Sequence, residues 1–258
     1  MGAFQLPDAP SLELSAASPP RPCDNKLLSI LPAEDRARVA AQLSMVPLQF
    51  RQILYKQGEP IEDVYFPCGG ACSLTKTMED GRTAEIGTIG NEGMLGASVF
   101  FGDGLAQSDA IVQVAAKSGF KMAVQAFTDE MNRHGAFYDR VIRYQQALTI
   151  QVMQTTACNA LHSAEQRCCR WLLMTRDRVG NDDLALTHEF LAIMLGVRRS
   201  TVSIIVEGLQ KAGLVDTRRG QIKIVDRHRL EGSSCECYAT VKANFARLLP
   251  DAAGFSGS

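Results

Sequence analysis

The sequence predicts an α+β chain: an N-terminal antiparallel β-roll, or jelly roll, then one long helix and a C-terminal winged helix-turn-helix. Three observations carry this. Short apolar stretches broken by turn residues run from Pro47 to Ala126; a near-heptad apolar series occupies residues 128–161; and two closely joined helical patterns ending at Gly213 precede a basic hairpin. The division expected is a tail (1–25), the β-roll (26–127), the long helix (128–161), the winged helix-turn-helix (162–231), and a further helix and tail (232–258).

Five of the ten prolines, Pro7, Pro10, Pro19, Pro20 and Pro22, lie in the first 22 residues among serine and alanine, so no continuous face can be buried there and disorder is expected. A short helix is expected from about Lys26, and Pro32 with Glu34 marks a second one running to Leu43. In the strand region Gly58-Glu59-Pro60 precedes Val64-Tyr65-Phe66, and Gly69-Gly70 precedes Ser73 to Thr77. Asp80-Gly81 sits between two short strands as a hairpin signal, because glycine readily takes a positive φ. Glu85 to Ile89, Ala110 to Val114 and Phe120 to Val124 complete the set. Many short strands at close spacing read as an antiparallel barrel or jelly roll.

The helical pattern from Thr128 past Leu161 carries Phe137, Val141, Tyr144, Leu148, Val152 and Thr155 at steps of four, three, four, four and three. Such a seam either lies on the chain's own roll or pairs with a second copy. The second is expected, which makes this a dimerisation helix with Val141, Tyr144, Leu148, Val152 and Thr155 at the interface.

Thr187 is a good N-cap for a helix bearing Phe190, Leu191, Met194 and Leu195, and Gly196 ends it where a left-handed backbone is needed. In the next helix Val202, Ile205, Val206 and Leu209 recur at i, i+3, i+4 and i+7 as one buried stripe. At about 100° per residue the opposite face holds Ser200, Ser203, Ile204, Glu207 and Lys211, with Arg198 and Arg199 at its start. Gly213 closes this helix, and Leu214 to Val225 reads as strand, basic turn and strand. Small, polar and basic groups on an exposed helix beside a basic wing suit a major groove about 12 Å wide.

The net charge of −1 is spread unevenly. Between Arg198 and Lys223 six basic residues face two acidic ones, and attraction to phosphates reaches only about 10 Å in salt, so the local patch decides. No apolar run of about 18 residues and no secretory pattern is found, so a cytoplasmic protein without a membrane partner is expected. The eight cysteines are then expected as reduced, mostly buried thiols. Cys68 and Cys72 are read as packing residues, with a redox or metal-sharing pair as the alternative. No four-cysteine cluster motif occurs, and neither metal nor cofactor is expected. All four histidines (His134, His162, His188, His228) lie after the roll, against a metal-dependent jelly-roll enzyme, and no nucleophile has a recognisable base; no catalytic residue is expected.

Leu186-Thr187-His188-Glu189-Phe190-Leu191-Ala192, Leu195-Gly196-Val197-Arg198-Arg199-Ser200-Thr201-Val202 and Leu209-Gln210-Lys211-Ala212-Gly213-Leu214 resemble the winged helix-turn-helix of CRP/FNR transcription regulators. The resemblance covers about Asn25 to Glu231, and Cys235 to Leu249 resembles an extra C-terminal helix of some members, with Tyr238, Val241, Phe245 and Leu248 facing the body. It implies a homodimer on double-stranded DNA at a near-palindromic operator, with RNA polymerase as a further partner. Position by position it gives Arg199 the reading of a guanine, and Thr201, Arg218 and Arg219 the holding of phosphates; Arg198, Ser200, Ser203 and Ile204 complete the DNA-contacting set. Ser200 replaces a glutamate of many relatives and Ile204 an arginine, so the operator is not theirs. Ile204 either touches a thymine methyl or turns toward the protein.

Members that bind cyclic nucleotides have a ribose-binding glutamate and a later arginine for the phosphate. The matching segments here are Gly93-Met94-Leu95-Gly96 and Gln107-Ser108-Asp109, so the effector pocket is expected at Glu92, Met94, Gln107 and Ser108, with the glutamate position left open between Met94 and Glu92. With glutamine in place of the cation and Asp109 adjacent, cyclic AMP control is not expected. The rival reading is a ligand-binding regulatory subunit acting through protein contacts, which would have no use for the basic wing.

Overall fold

The computed structural model describes residues 25–250, so the expectation of an N-terminal tail lies outside the described residues save for its last position. Asn25 belongs to the folded body. It caps α1 (Lys26–Ser29) and donates from its buried amide to the carbonyls of Pro67 and Gly93, at 2.8 Å each. After α2 (Ala33–Ala40) come seven strands: β1 (Ser44–Leu48), β2 (Ile53–Tyr55), β3 (Asp63–Pro67), β4 (Ala71–Thr77), β5 (Thr83–Ile89), β6 (Asp109–Val114) and β7 (Ala116–Ala123). They form two antiparallel sheets, ordered β1-β7-β3 and β2-β6-β4-β5, whose facing sides bury Val64, Phe66, Leu74, Ile89, Val112 and Met122.

The predicted long helix is two helices. α3 (Val124–Met131) takes Val124, expected in a strand, and the chain then turns through Asn132 to Gly135, with His134 at φ 52, before α4 (Ala136–Leu161). A left-handed residue ends one helix, and Gly135 flanks the start of the next. α4 lies along the four-stranded sheet, and Tyr144 covers Gly93 so closely that a Cβ there would meet its ring at 2.0 Å; only glycine fits.

The C-terminal part comprises α5 (Ala164–Val179), β8 (Asp183–Leu184), α6 (His188–Leu195), α7 (Arg199–Lys211), β9 (Val215–Arg218), β10 (Gln221–Ile224), α8 (Arg227–Ser233) and α9 (Cys237–Leu248). Ser163 opens α5 with a reciprocal capping box to Gln166. β8 adds a third strand to the wing, in the order β8-β10-β9. Tyr238, Val241, Phe245 and Leu248 are buried as expected, and α9 packs on α4. Among the described residues no helix is long and apolar enough to cross a membrane.

Two buried polar connections join the roll to α5. Glu85 of β5 accepts from Ser73, from Thr88 at 2.8 Å, from Gln113 at 2.7 Å and from the Trp171 indole of α5 at 3.2 Å. Its burial pushes the carboxyl above the usual carboxylate range, against those hydrogen bonds. The second connection pairs Arg178 of α5 with Glu92. α6 rests on β5, and the Phe190 ring lies 5.8 Å from Phe50.

Candidate nucleic-acid interface

α6 and α7 owe their geometry to local signals. Thr187 accepts from the Phe190 amide at 3.2 Å, and Gly196 at φ 63 reverses the chain while the Val197 amide bonds back to Ala192. Val202, Ile205, Val206 and Leu209 are buried against the domain core. Everything on the opposite face of α7 is thereby turned outward. Arg198, at the N-cap, and Arg199 and Ser200 are exposed, Thr201 is partly covered, and Ile204 is 72% exposed and does not turn toward the protein. Ser203 is half-buried, with its hydroxyl 3.1 Å from His188 Nδ1. Partial burial first, then the Arg199 charge, hold the His188 imidazole below its usual value.

The start of α7 carries unpaired backbone N–H groups and no acidic residue in its first turn, a combination that favours anions. The β9–β10 hairpin turns through Arg219 and Gly220, the glycine at φ 73, and projects Arg218 and Arg219 into solvent, while Thr217 of β9 lies 2.6 Å from Gln210 near the C-terminal end of α7. Asp216 sits 3.6 Å from the Arg218 guanidinium, an exposed pair that a phosphate could displace at little cost. Lys211 is paired within α7 to Glu207 at 2.6 Å, at the far end from Arg198 and Arg199.

The five residues expected at a dimer interface face the chain's own body instead. Val141 and Tyr144 are buried under the roll, and the Tyr144 hydroxyl donates to the Met94 carbonyl at 2.8 Å. Leu148 and Val152 wall a cavity, and Thr155 accepts from Arg170 of α5 at 3.2 Å. A seam at heptad spacing is equally suited to packing on a sheet, and the roll has taken it.

That cavity, of about 230 Å³, lies between the roll and α4. Met94, Gln107 and Ser108 line it together with Tyr55, Leu74 and Gln145. Glu92 does not. Its carboxylate accepts from the Gly90 amide and pairs with Arg178 at 2.8 Å, which turns it away from this cavity, whereas Met94 lines it. Asp109 is also turned away, accepting from the Gln57 amide at 2.7 Å. The described lining residues carry no charge; Lys76, at the rim, gives its ammonium to the Gln107 carbonyl at 2.7 Å.

Cys72 is a free buried thiol and is not bonded to Cys68, which is half-buried with its sulfur 3.7 Å from the Phe66 carbonyl. One feature of the cysteine geometry is not visible in the sequence pattern. Cys158, Cys235, Cys237 and His162 come together although no sequence motif joins them.

Two family models match the chain: the Crp-like helix-turn-helix domain over residues 166–232 and the cyclic nucleotide-binding domain over residues 46–134. A search of curated proteins returns no match. Among solved structures, a transcriptional regulator of the CRP/FNR family from Eubacterium rectale is 18% identical with a TM-score of 0.61, covering 80% of this chain and 96% of that one. The c-di-GMP-responsive global regulator CLP of Xanthomonas campestris is 14% identical with a TM-score of 0.63, over 76% of this chain and all 100% of its own. FixK2 of Bradyrhizobium japonicum is 16% identical with a TM-score of 0.62, over 75% and 98%. At these identities the likeness is one of fold. With both domains matched in order across more than half of its length, the chain belongs to the CRP/FNR family of DNA-binding transcriptional regulators.

Proposed function

We propose that the protein acts as a homodimer that reads a near-palindromic operator through α7 and the wing, and that its DNA binding does not depend on cyclic AMP. The observation that carries the reading is the placement of Arg199 at the exposed, anion-favouring start of α7, together with Arg218 and Arg219 projected into solvent from the β9–β10 wing. Arg199 suits a bidentate pair with guanine O6 and N7, Ile204 a thymine methyl, and Arg198, Ser200, Thr201 and the wing arginines the flanking phosphates. Ser203, held by His188, orients the helix pair from within.

Dimerisation is assigned to the neighbouring row of α4, about 100° round the helix from the buried one, of which Thr149 and Met153 also edge the cavity. Ile142, Gln146, Thr149, Met153, Thr156 and Ala160 step by four, three, four, three and four, and all but Ile142 are exposed, Met153 at 66%. Two such helices pairing would set recognition helices in successive major grooves about 34 Å apart. At the promoter such a dimer has RNA polymerase as its neighbour.

Independence from cyclic AMP rests on the cavity's uncharged lining, in which a cyclic phosphate would lose its hydration, while the adjacent Lys76 ammonium is already engaged by the Gln107 carbonyl. The test is a mobility-shift assay on genomic fragments, with calorimetry for the nucleotide. The expected result is a sequence-selective shift with the same midpoint with and without cyclic AMP. A tenfold tightening by the nucleotide, about 1.4 kcal/mol of coupling, would overturn that part; absence of any selective shift would overturn the DNA reading.

A further inference from the structure

The last turn of α4 and the entry to α9 bring together a group that local sequence keeps apart. Cys158 and His162, four residues apart, share one helix face, and Cys235 and Cys237 flank Glu236 where α9 begins. The three thiols are buried and form a small cluster of their own, with no other apolar side chain in it. Cys158 Sγ lies 3.5 Å from Cys235 Sγ, Cys237 Sγ lies 3.5 Å from His162 Nδ1, and the four ligand atoms all fall within 4.8 Å of one another. A tetrahedral zinc ion with sulfur at about 2.3 Å and nitrogen at about 2.0 Å sets its ligand atoms roughly 3.5 to 3.8 Å apart, so little contraction is needed.

The surroundings match such an ion. His162 Nε2 faces Glu236 Oε1 at 3.2 Å, the carboxylate-histidine arrangement that fixes the ring and leaves Nδ1 for a metal. Gln154 donates an amide hydrogen to Cys237 Sγ at 3.1 Å. Arg170 is buried, its charge acts on Cys158 and Cys235, and its Nε has no hydrogen-bond partner among the described residues.

We propose that Cys158, His162, Cys235 and Cys237 bind one zinc ion that pins the start of α9 to the end of α4. Three thiolates and one divalent ion leave a single negative charge, which Arg170 offsets, and each thiol gives its proton to solvent as its bond to zinc forms. All four positions being protein ligands, the site is structural rather than hydrolytic. Its place is the junction itself: His162 caps α4, and Ser163 opens the first helix of the DNA-binding part.

The test uses the full chain, purified under reducing conditions without chelator. Elemental analysis should give one zinc per chain, and Co²⁺ added to the metal-free protein should give the absorption of a tetrahedral thiolate site at one equivalent. Cys237→Ser and His162→Ala should each lose the stoichiometric metal, Glu236→Gln should weaken it about tenfold, and Cys168→Ser should retain it. Should the ligand variants fail to fold, the cobalt spectrum of the unaltered chain decides. Reduced protein that gives no tetrahedral thiolate spectrum, including protein isolated with a Cys158–Cys235 disulfide and then reduced, would overturn the proposal; so would undiminished zinc in both ligand variants.

Discussion

Arg178 Nε lies 2.8 Å from Glu92 Oε1 with both side chains withdrawn from water, and this pair bridges the roll and the first helix of the DNA-binding part. The guanidinium also donates to the Met174 carbonyl at 2.9 Å and to Gln151 of α4 at 3.0 Å, and Gln151 donates to the Thr88 carbonyl at 2.9 Å. Removing one partner strands the other charge in a low-dielectric site, whereas removing both does not.

Arg178→Met is therefore expected to lower unfolding stability by about 3 to 5 kcal/mol, and Arg178→Met with Glu92→Leu to regain most of that loss. Urea denaturation of the three proteins measures it. A single variant costing under about 1 kcal/mol would place the pair in a wetter environment than the one described.

The two faces of α4 should respond differently to charge. Met153→Glu is expected to give a folded monomer with weak operator affinity, because the residue is 66% exposed. Leu148→Glu is expected to destabilise the chain itself, since that side chain is buried against the roll. Analytical ultracentrifugation with circular dichroism separates the outcomes; a Met153→Glu protein that stays dimeric puts the interface elsewhere.

Base reading and phosphate holding separate by salt and by sequence. Arg199→Ala should cost roughly 1 to 3 kcal/mol on the selected operator and relax preference at one base pair. Arg218→Ala should weaken all DNA alike and reduce the salt slope by about one. Equal effects of both substitutions on random and selected DNA would remove this division.

Acid should loosen the helix pair through His188. Its folded-state value is lowered by burial first and by Arg199 second, so the stabilisation is fully present above the unfolded value near 6.5 and is lost as pH falls through the folded one. Thermal denaturation from pH 8 down to pH 5 should fall less steeply in His188→Gln than in the unaltered chain. Identical profiles would assign the acid sensitivity to another group.

What the sequence could show follows range. The Val202-Ile205-Val206-Leu209 stripe, the Thr187 cap and the Gly196 turn depend on neighbours within a few residues, and they stand where periodicity puts them. β1 and β2 went unrecognised because each is short and interrupted by a register shift. The α3–α4 break turns on one left-handed histidine, a residue type that carries no such signal by itself. The α4 seam was seen, but Val141, Tyr144 and Leu148 repeat at the same spacing as Gln146, Thr149 and Met153, and only the position of the sheet decides which row is covered. Glu92 stands two residues from Met94, which by sequence points it to the cavity, but its partner in the fold, Arg178, is 86 residues away. The thiol cluster is hidden for the same reason, with 77 residues between Cys158 and Cys235.

Trp171 is the only tryptophan in the chain, and its indole N–H ends on Glu85 of the roll. Tryptophan emission is therefore a built-in optical gauge of the joint between the two parts. Separation of α5 from the roll hydrates that one indole and shifts its spectrum to longer wavelength, and docking reverses the shift. Any compound, metal or DNA fragment that moves the joint can thus be found by titration in a fluorimeter on the unlabelled, unmodified protein, before its chemical identity is known.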